Sequence, residues 1–203
     1  MKNNRISYQI LILSISIFVL LFFTGCSIIN LNKKEPEKTF FTFGDLKANP
    51  SKKNDQETFA KLLILDFTAN ADFKGRQFIY KGRNHFYKDY YNRFFISPEK
   101  MIKNKCAQWF RSKKSQLLFS DFILQGEILE IYCDRTEKRN PGAIIKIRFK
   151  LIEYNKTNKT LVEKDLYSGV KFSNFTPDNL MTAWTKCLKN IFTELESEIS
   201  PLI

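Results

Sequence analysis

The sequence predicts an α+β fold. It reads as a single domain with a mixed or antiparallel sheet of about five to seven strands and two helices packed on it, preceded by an export signal and a tether. Three observations carry this. Ser97-Pro98-Glu99 and Thr176-Pro177-Asp178 repeat one helix-start chemistry, and each opens an apolar run at helical spacing. Between them, Ile145, Ile147, Phe149 and Leu151 alternate with Lys146, Arg148 and Lys150, as in a strand with one face buried and one wet. Finally, 203 residues with 43% apolar content and 20 Phe suffice for one core, while 7 Gly, 6 Pro and 4 Cys exclude collagen-like, low-complexity and disulfide-dense chains.

Taken in order, the chain opens with Lys2 and Arg5, then the apolar run Ile10 to Phe23, interrupted only by Ser14 and Ser16, then Thr24-Gly25-Cys26. A spanning helix needs roughly 20 apolar residues, so this shorter run reads as a signal peptide over residues 1–25. Phe23-Thr24-Gly25-Cys26 resembles the bacterial lipobox, with Phe23 in place of the usual aliphatic residue. That resemblance implies that Cys26 is the lipidation site and first mature residue, the alternative being an ordinary signal or short membrane anchor with an incidental cysteine. Two or three acyl chains hold a membrane stably where one does not. Ser27, rather than Asp, after the cysteine points to the periplasmic face of the outer membrane, with inner-membrane anchoring as the alternative. Residues 26–38 are polar, contain Pro36 and show no sustained period, the composition of a tether to a domain at 39–203.

Within that domain, Thr39 to Phe43 is a short aromatic strand and Lys47 to Glu57 a polar loop. Lys61 to Thr68 is a buried strand, Gln77 to Tyr80 another, and Lys81-Gly82-Arg83 a turn into the aromatic-crowded stretch His85 to Phe95. Ser97 caps helix A, Pro98 wastes no amide hydrogen at its first position, and Glu99 complements the dipole. Helix A should run over 98–113, with Met101, Ile102, Cys106, Trp109 and Phe110 mostly on one face. Strands follow at Phe122 to Cys133 and Gly142 to Tyr154, and a polar turn at 155–159 returns the chain as Thr160 to Phe172. Helix B should reach residue 198, its apolar face set by Leu180, Trp184, Cys187, Leu188, Ile191 and Leu195.

Charge and chemistry bound the function. Removing residues 1–25 takes away Lys2 and Arg5, leaving 178 residues with 31 basic and 21 acidic side chains. The excess is Lys-dominated and dispersed, and the exported location removes nucleic acid as a target, so anionic headgroups or an acidic partner fit better, with a merely solvated Lys-rich surface as an equal alternative. His85 has no second histidine for a metal pair, and no phosphate-binding loop, H-E-x-x-H or G-x-S-x-G motif occurs. Asp121, Glu127 and Glu130 read as solvent-facing. The expectation is a protein that is not an enzyme, with no metal and no cofactor beyond acyl chains on Cys26. Cys106, Cys133 and Cys187 fit no zinc spacing, and Cys106 and Cys187 fall on apolar helix faces, as buried thiols do; a disulfide is the minority alternative. The aromatic stretch from Arg76 to Phe95 has two readings, core and edge packing or an adhesive surface. On the second, Tyr80, Arg83, Tyr87, Tyr90, Tyr91, Arg93 and Phe94 are the candidate partner-binding residues.

The order of these features resembles the ABC-type transport auxiliary lipoprotein family, of the YmbA/PqiC type. The resemblance runs through the lipobox, Phe40-Phe41-Thr42-Phe43, Leu62 to Phe67, Gln77-Phe78-Ile79-Tyr80, and Tyr91-Asn92-Arg93-Phe94 leading to Ser97-Pro98. It continues through Ile123-Leu124-Gln125-Gly126-Glu127-Ile128, Ala143 to Tyr154 and the helix from Asp178. It covers most of residues 39–199, with Phe94 standing where the family usually has Trp. The resemblance implies a small α/β domain acting without catalysis beside an ABC permease, its ATPase and an MCE-domain protein in lipid transport between membranes, with assembly into a homo-oligomer. Two other readings stand beside it: a solute- or lipid-capturing lipoprotein, and a structural or adhesion lipoprotein of the envelope.

Overall fold

The computed structural model describes residues 36–46, 59–110, 120–137, 139–154 and 158–203. In chain order these form strands β1 (Thr39–Phe41), β2 (Leu62–Ile64), β3 (Thr68–Ala69), β4 (Gln77–Lys81) and β5 (Phe86–Phe94), then helix α1 (Pro98–Trp109). Strands β6 (Phe122–Asp134), β7 (Gly142–Glu153) and β8 (Lys159–Lys171) follow, and helix α2 (Pro177–Ile199) comes last. Residues 37–203 make one compact unit. The signal peptide, Cys26, most of the tether, the loop at 47–57, residues 111–113 of the expected first helix and residues 155–157 of the expected turn lie outside the described residues.

The alternating strand signals set the frame. β6, β7 and β8 form an antiparallel meander in which Ile147, Phe149 and Leu151 stand beside Ile128, Gly126 and Leu124 on the buried face. The other face carries the charges: Arg148 bonds Asp165 at 2.8 Å and lies 3.6 Å from Glu127, and Lys146 reaches Asp165 at 3.3 Å. The free edge of β6 takes three short parallel partners in succession, β2 at Phe122–Leu124, β3 at Glu127–Ile128 and β4 at Cys133–Asp134. β5 pairs antiparallel with β4, and β1 closes the sheet as a parallel edge strand on β5.

Among the described residues the sheet thus has eight strands, because the expected single strand over 61–68 is two pieces. Between Ile64↔Leu124 and Thr68↔Glu127 the first chain uses one residue more than its partner, which breaks the ladder as a bulge does. The cause is Phe67, which turns inward onto Gly126; a Cβ on that glycine would lie 2.6 Å from the Phe67 ring. Phe67 packs edge-on to Phe149 at 5.9 Å.

Both helices cover the apolar face. α2 buries Leu180, Met181, Ala183, Trp184, Cys187, Leu188, Ile191, Phe192, Leu195 and Ile199 against β7 and β8. Trp184 is its centre, edge-on to Phe78 at 5.1 Å, 5.4 Å from Phe94, and donating its Nε1 hydrogen to the Tyr132 carbonyl at 3.3 Å. Truncating such a residue costs about 3–5 kcal/mol. Trp109 at the end of α1 donates to Glu196 Oε2 at 3.1 Å, tying the two helices together. Thr176 caps α2 by accepting from Asn179 N at 3.1 Å. Ser97 does not cap α1 with its side chain; its carbonyl accepts from Met101 N, and Pro98 removes one of the amides a cap would serve.

Candidate binding surface

The geometry of the aromatic stretch follows from one carboxylate. Gln77 pairs with Arg93 and Ile79 with Lys88, so Phe78 alone on β4 faces four residues, 89–92, on β5. Those four leave the β4 ladder, Asn92 keeping register with Thr39 of β1, and the Tyr91 and Asn92 amides need other acceptors. Asp89 supplies them: Oδ1 accepts from Tyr91 N at 2.8 Å and Asn92 N at 3.0 Å, and Oδ2 accepts from Asn92 Nδ2 at 2.7 Å and from the Tyr80 hydroxyl at 2.8 Å. Burial alone would raise the Asp89 pKa, but the Asn92, Tyr80 and Tyr91 hydrogen bonds outweigh it and hold the carboxyl below its ordinary value. Burial, with the hydrogen bond to Asp89, drives the Tyr80 hydroxyl far above its ordinary pKa, so it stays a proton donor.

The bulge projects Tyr90 and Tyr91, whose rings meet edge-on at 5.2 Å. Arg93 folds back over Tyr90 with its guanidinium carbon 5.5 Å from the ring centroid and donates from Nε to the Tyr90 carbonyl. Lys38, just before β1, places Nζ 4.9 Å from the same ring. Beside them Arg76 lies 5.4 Å over Phe40 and donates to the Phe95 carbonyl at 3.0 Å.

A second group forms at the other end of β5. Tyr87 stands beside Tyr80 at 5.2 Å and beside His85 at 5.7 Å, and accepts a 3.0 Å hydrogen bond from Arg135 Nη1. Arg135 also covers Phe175 at 4.2 Å.

The seven sequence-predicted residues therefore separate. Tyr90, Tyr91 and Arg93 come together at the sheet edge, Tyr87 joins the Arg135 group, and Arg83 is exposed on the β4–β5 turn. Tyr80 and Phe94 are corrections: at 3% and 2% exposure they are core residues, Phe94 packed on Phe78 and Trp184, and neither can touch a partner. Asp89, Phe40, Phe95, Phe175 and Arg135 were missed. A lone acid within an aromatic and basic run was the available signal for Asp89. Arg135 and Phe175 had none, because 48 and 88 residues separate them from Tyr87 in the chain.

The open face of the sheet holds a cleft of about 370 Å³ lined by charged side chains, including Asp66, Glu127, Arg148, Lys150 and Glu163. Its ion pairs suit water better than an acyl chain. Asp121 pairs with Lys61 at 2.7 Å. Cys106, Cys133 and Cys187 are buried free thiols; burial pushes Cys133 up to about 12, Cys187 up to about 11, and Cys106 higher still.

No family model and no curated protein matches this chain. Solved structures do. A crystal structure of a Xanthomonas campestris protein of the DUF330 family superposes with a TM-score of 0.65 at 13% identity, covering 80% of this chain and 95% of that one. The domain has the DUF330 fold. A crystal structure of an uncharacterized protein shares it with a TM-score of 0.63 at 9% identity, covering 80% of this chain and 99% of the other. At 13% and 9% identity the likeness to both structures is one of fold. Among the described residues no helix is long and apolar enough to cross a membrane.

Proposed function

We propose that this chain is an envelope lipoprotein, anchored through acyl chains on Cys26, that serves as auxiliary component of an ABC/MCE-type system carrying phospholipid or a related lipid between membranes. On this reading it is not an enzyme and uses no diffusible cofactor. It acts by holding an MCE-domain protein, itself joined to a permease and an ATPase, at the outer membrane. The observation that carries the reading is the lipobox-like Phe23-Thr24-Gly25-Cys26 placed ahead of a domain with the DUF330 fold. The docking group is Tyr87 and Arg135, an exposed aromatic residue hydrogen-bonded to a guanidinium group, with Arg83 exposed on the preceding β4–β5 turn; Tyr and Arg are enriched where interfaces bury area.

A pulldown from detergent-solubilised native envelope tests this. The wild-type lipoprotein should recover an MCE-domain protein with its permease and ATPase. Tyr87→Ala or Arg135→Ala should weaken recovery about 30-fold for a true hot spot of about 2 kcal/mol. Recovery of none of the three, with a tightly held small solute instead, would transfer the assignment to solute capture. Cys26→Ala should abolish acylation, and normal soluble export of that variant after cleavage elsewhere would remove the anchor from the reading.

A further inference from the structure

The β1–β5 edge keeps four aromatic side chains wet: Phe40 is 47% exposed, Tyr90 50%, Tyr91 40% and Phe95 65%. Three cations stand among them, and among the described residues none has a carboxylate partner. Arg76 and Arg93 donate to the Phe95 and Tyr90 carbonyls, and Lys38 rests on the Tyr90 ring. Glu37 is the only acid in residues 36–46 before Asp45, which faces Lys105, and the Asp89 carboxylate is spent on Tyr80 and the bulge. Phe40 and Arg93 are register partners, so the patch is continuous across the two strands.

This edge is also where the chain enters the domain. Lys38 follows Cys26 by twelve residues (38 less 26), a span of at most about 40 Å when fully extended. Amphipathic aromatic rings favour the headgroup level of a bilayer, and unpaired Lys and Arg are attracted to anionic lipid by about 1 kcal/mol each near the surface. A protein partner would use the aromatics equally, but the uncompensated cations and the short tether select a surface that is anionic and already within reach.

We infer that the β1–β5 edge lies on the anionic headgroup layer of the membrane that holds the anchor, with Tyr90, Tyr91, Phe40 and Phe95 in the interface and Lys38, Arg76 and Arg93 on lipid phosphates. The inference rests on Cys26 being acylated. It orients the domain, leaving the Tyr87–Arg135 group for the protein partner.

The two native tryptophans make the test clean, since Trp109 and Trp184 are 4% and 0% exposed. The mature protein purified from the cell envelope with its native N-terminus and carrying Tyr90→Trp is mixed into phosphatidylethanolamine/phosphatidylglycerol vesicles with brominated acyl chains, beside wild type and Tyr167→Trp. Tyr167 is 58% exposed on β8, the opposite edge of the sheet. Emission from Tyr90→Trp should be quenched several-fold more than from Tyr167→Trp, with wild type barely affected. Replacing phosphatidylglycerol by phosphatidylcholine should reduce the quenching without altering the protein, and Arg76→Glu with Arg93→Glu should do the same in a variant whose native tryptophan emission is unchanged. Equal quenching at the two positions, or none at position 90 in protein that still floats with vesicles, overturns the inference and leaves the anchor intact. Wild type that does not float with vesicles overturns the anchor reading and this inference with it. Shielding at position 90 only when envelope proteins are added assigns the edge to a protein.

Discussion

Asp89→Ala should unravel the bulge and destabilise the whole domain, because the carboxylate gathers four hydrogen bonds in one place. Its removal strands the hydroxyl of Tyr80, a residue 3% exposed, at about 1–3 kcal/mol for an unsatisfied buried group. The Tyr91 and Asn92 amides can turn to water, so their loss adds only about 0.5–1 kcal/mol each. The sum is about 2–5 kcal/mol, a fall in Tm of about 4–20 °C for a domain of this size. Denaturant and thermal unfolding followed by the buried tryptophans measure it. Tyr80→Phe alone should cost about 1 kcal/mol, and the double variant should show a coupling of about 1 kcal/mol or more with Asp89→Ala. The pH dependence has a fixed sign. The folded carboxyl sits below its ordinary value of 3.8, so the unfolded chain takes up the proton first. The stabilisation is complete above that pH and drains away as pH falls through the folded value, and Asp89→Asn should abolish this part of the acid limb. An Asp89→Ala variant within about 0.5 kcal/mol of wild type, or strict additivity with Tyr80→Phe, would refute the account of the bulge.

Gly126→Ala forces a Cβ to 2.6 Å from the Phe67 ring and should cost about 1–3 kcal/mol; pairing it with Phe67→Leu should recover part of that, read from the denaturant midpoint. Trp109→Phe loses the hydrogen bond to Glu196 and should lower stability by about 1 kcal/mol without changing the m-value. The three buried thiols, with pKa values raised by burial, should resist alkylation at pH 8 until the domain unfolds and should give the same gel mobility with and without reductant. Fast alkylation of folded protein, or a mobility shift on reduction, would contradict their placement.

The sequence alone determined whatever depends on local periodicity. The strand around Ile145–Leu151, its partner after residue 159 and the helix from Pro177 are legible because every second or every third to fourth side chain meets the same environment. Helix-start chemistry placed the first residue of α1 at Pro98, although the helix stops at Trp109 with Phe110 as its C-cap rather than running to 113, and the aromatic density of residues 76–95 marked the right region. Tertiary structure decided the rest. Composition could not separate Phe94 from Phe95, neighbours that are 2% and 65% exposed, since a strand sends adjacent side chains to opposite faces and only the pairing says which face is covered. It could not foresee that Phe67 would break its strand, because the cause is a glycine 59 residues later in the chain. Nor could it show that one carboxylate would expel Tyr90 and Tyr91 from the ladder, or that Arg135 would meet Tyr87, because burial and hydrogen-bond satisfaction are settled between segments that come together only when the sheet closes.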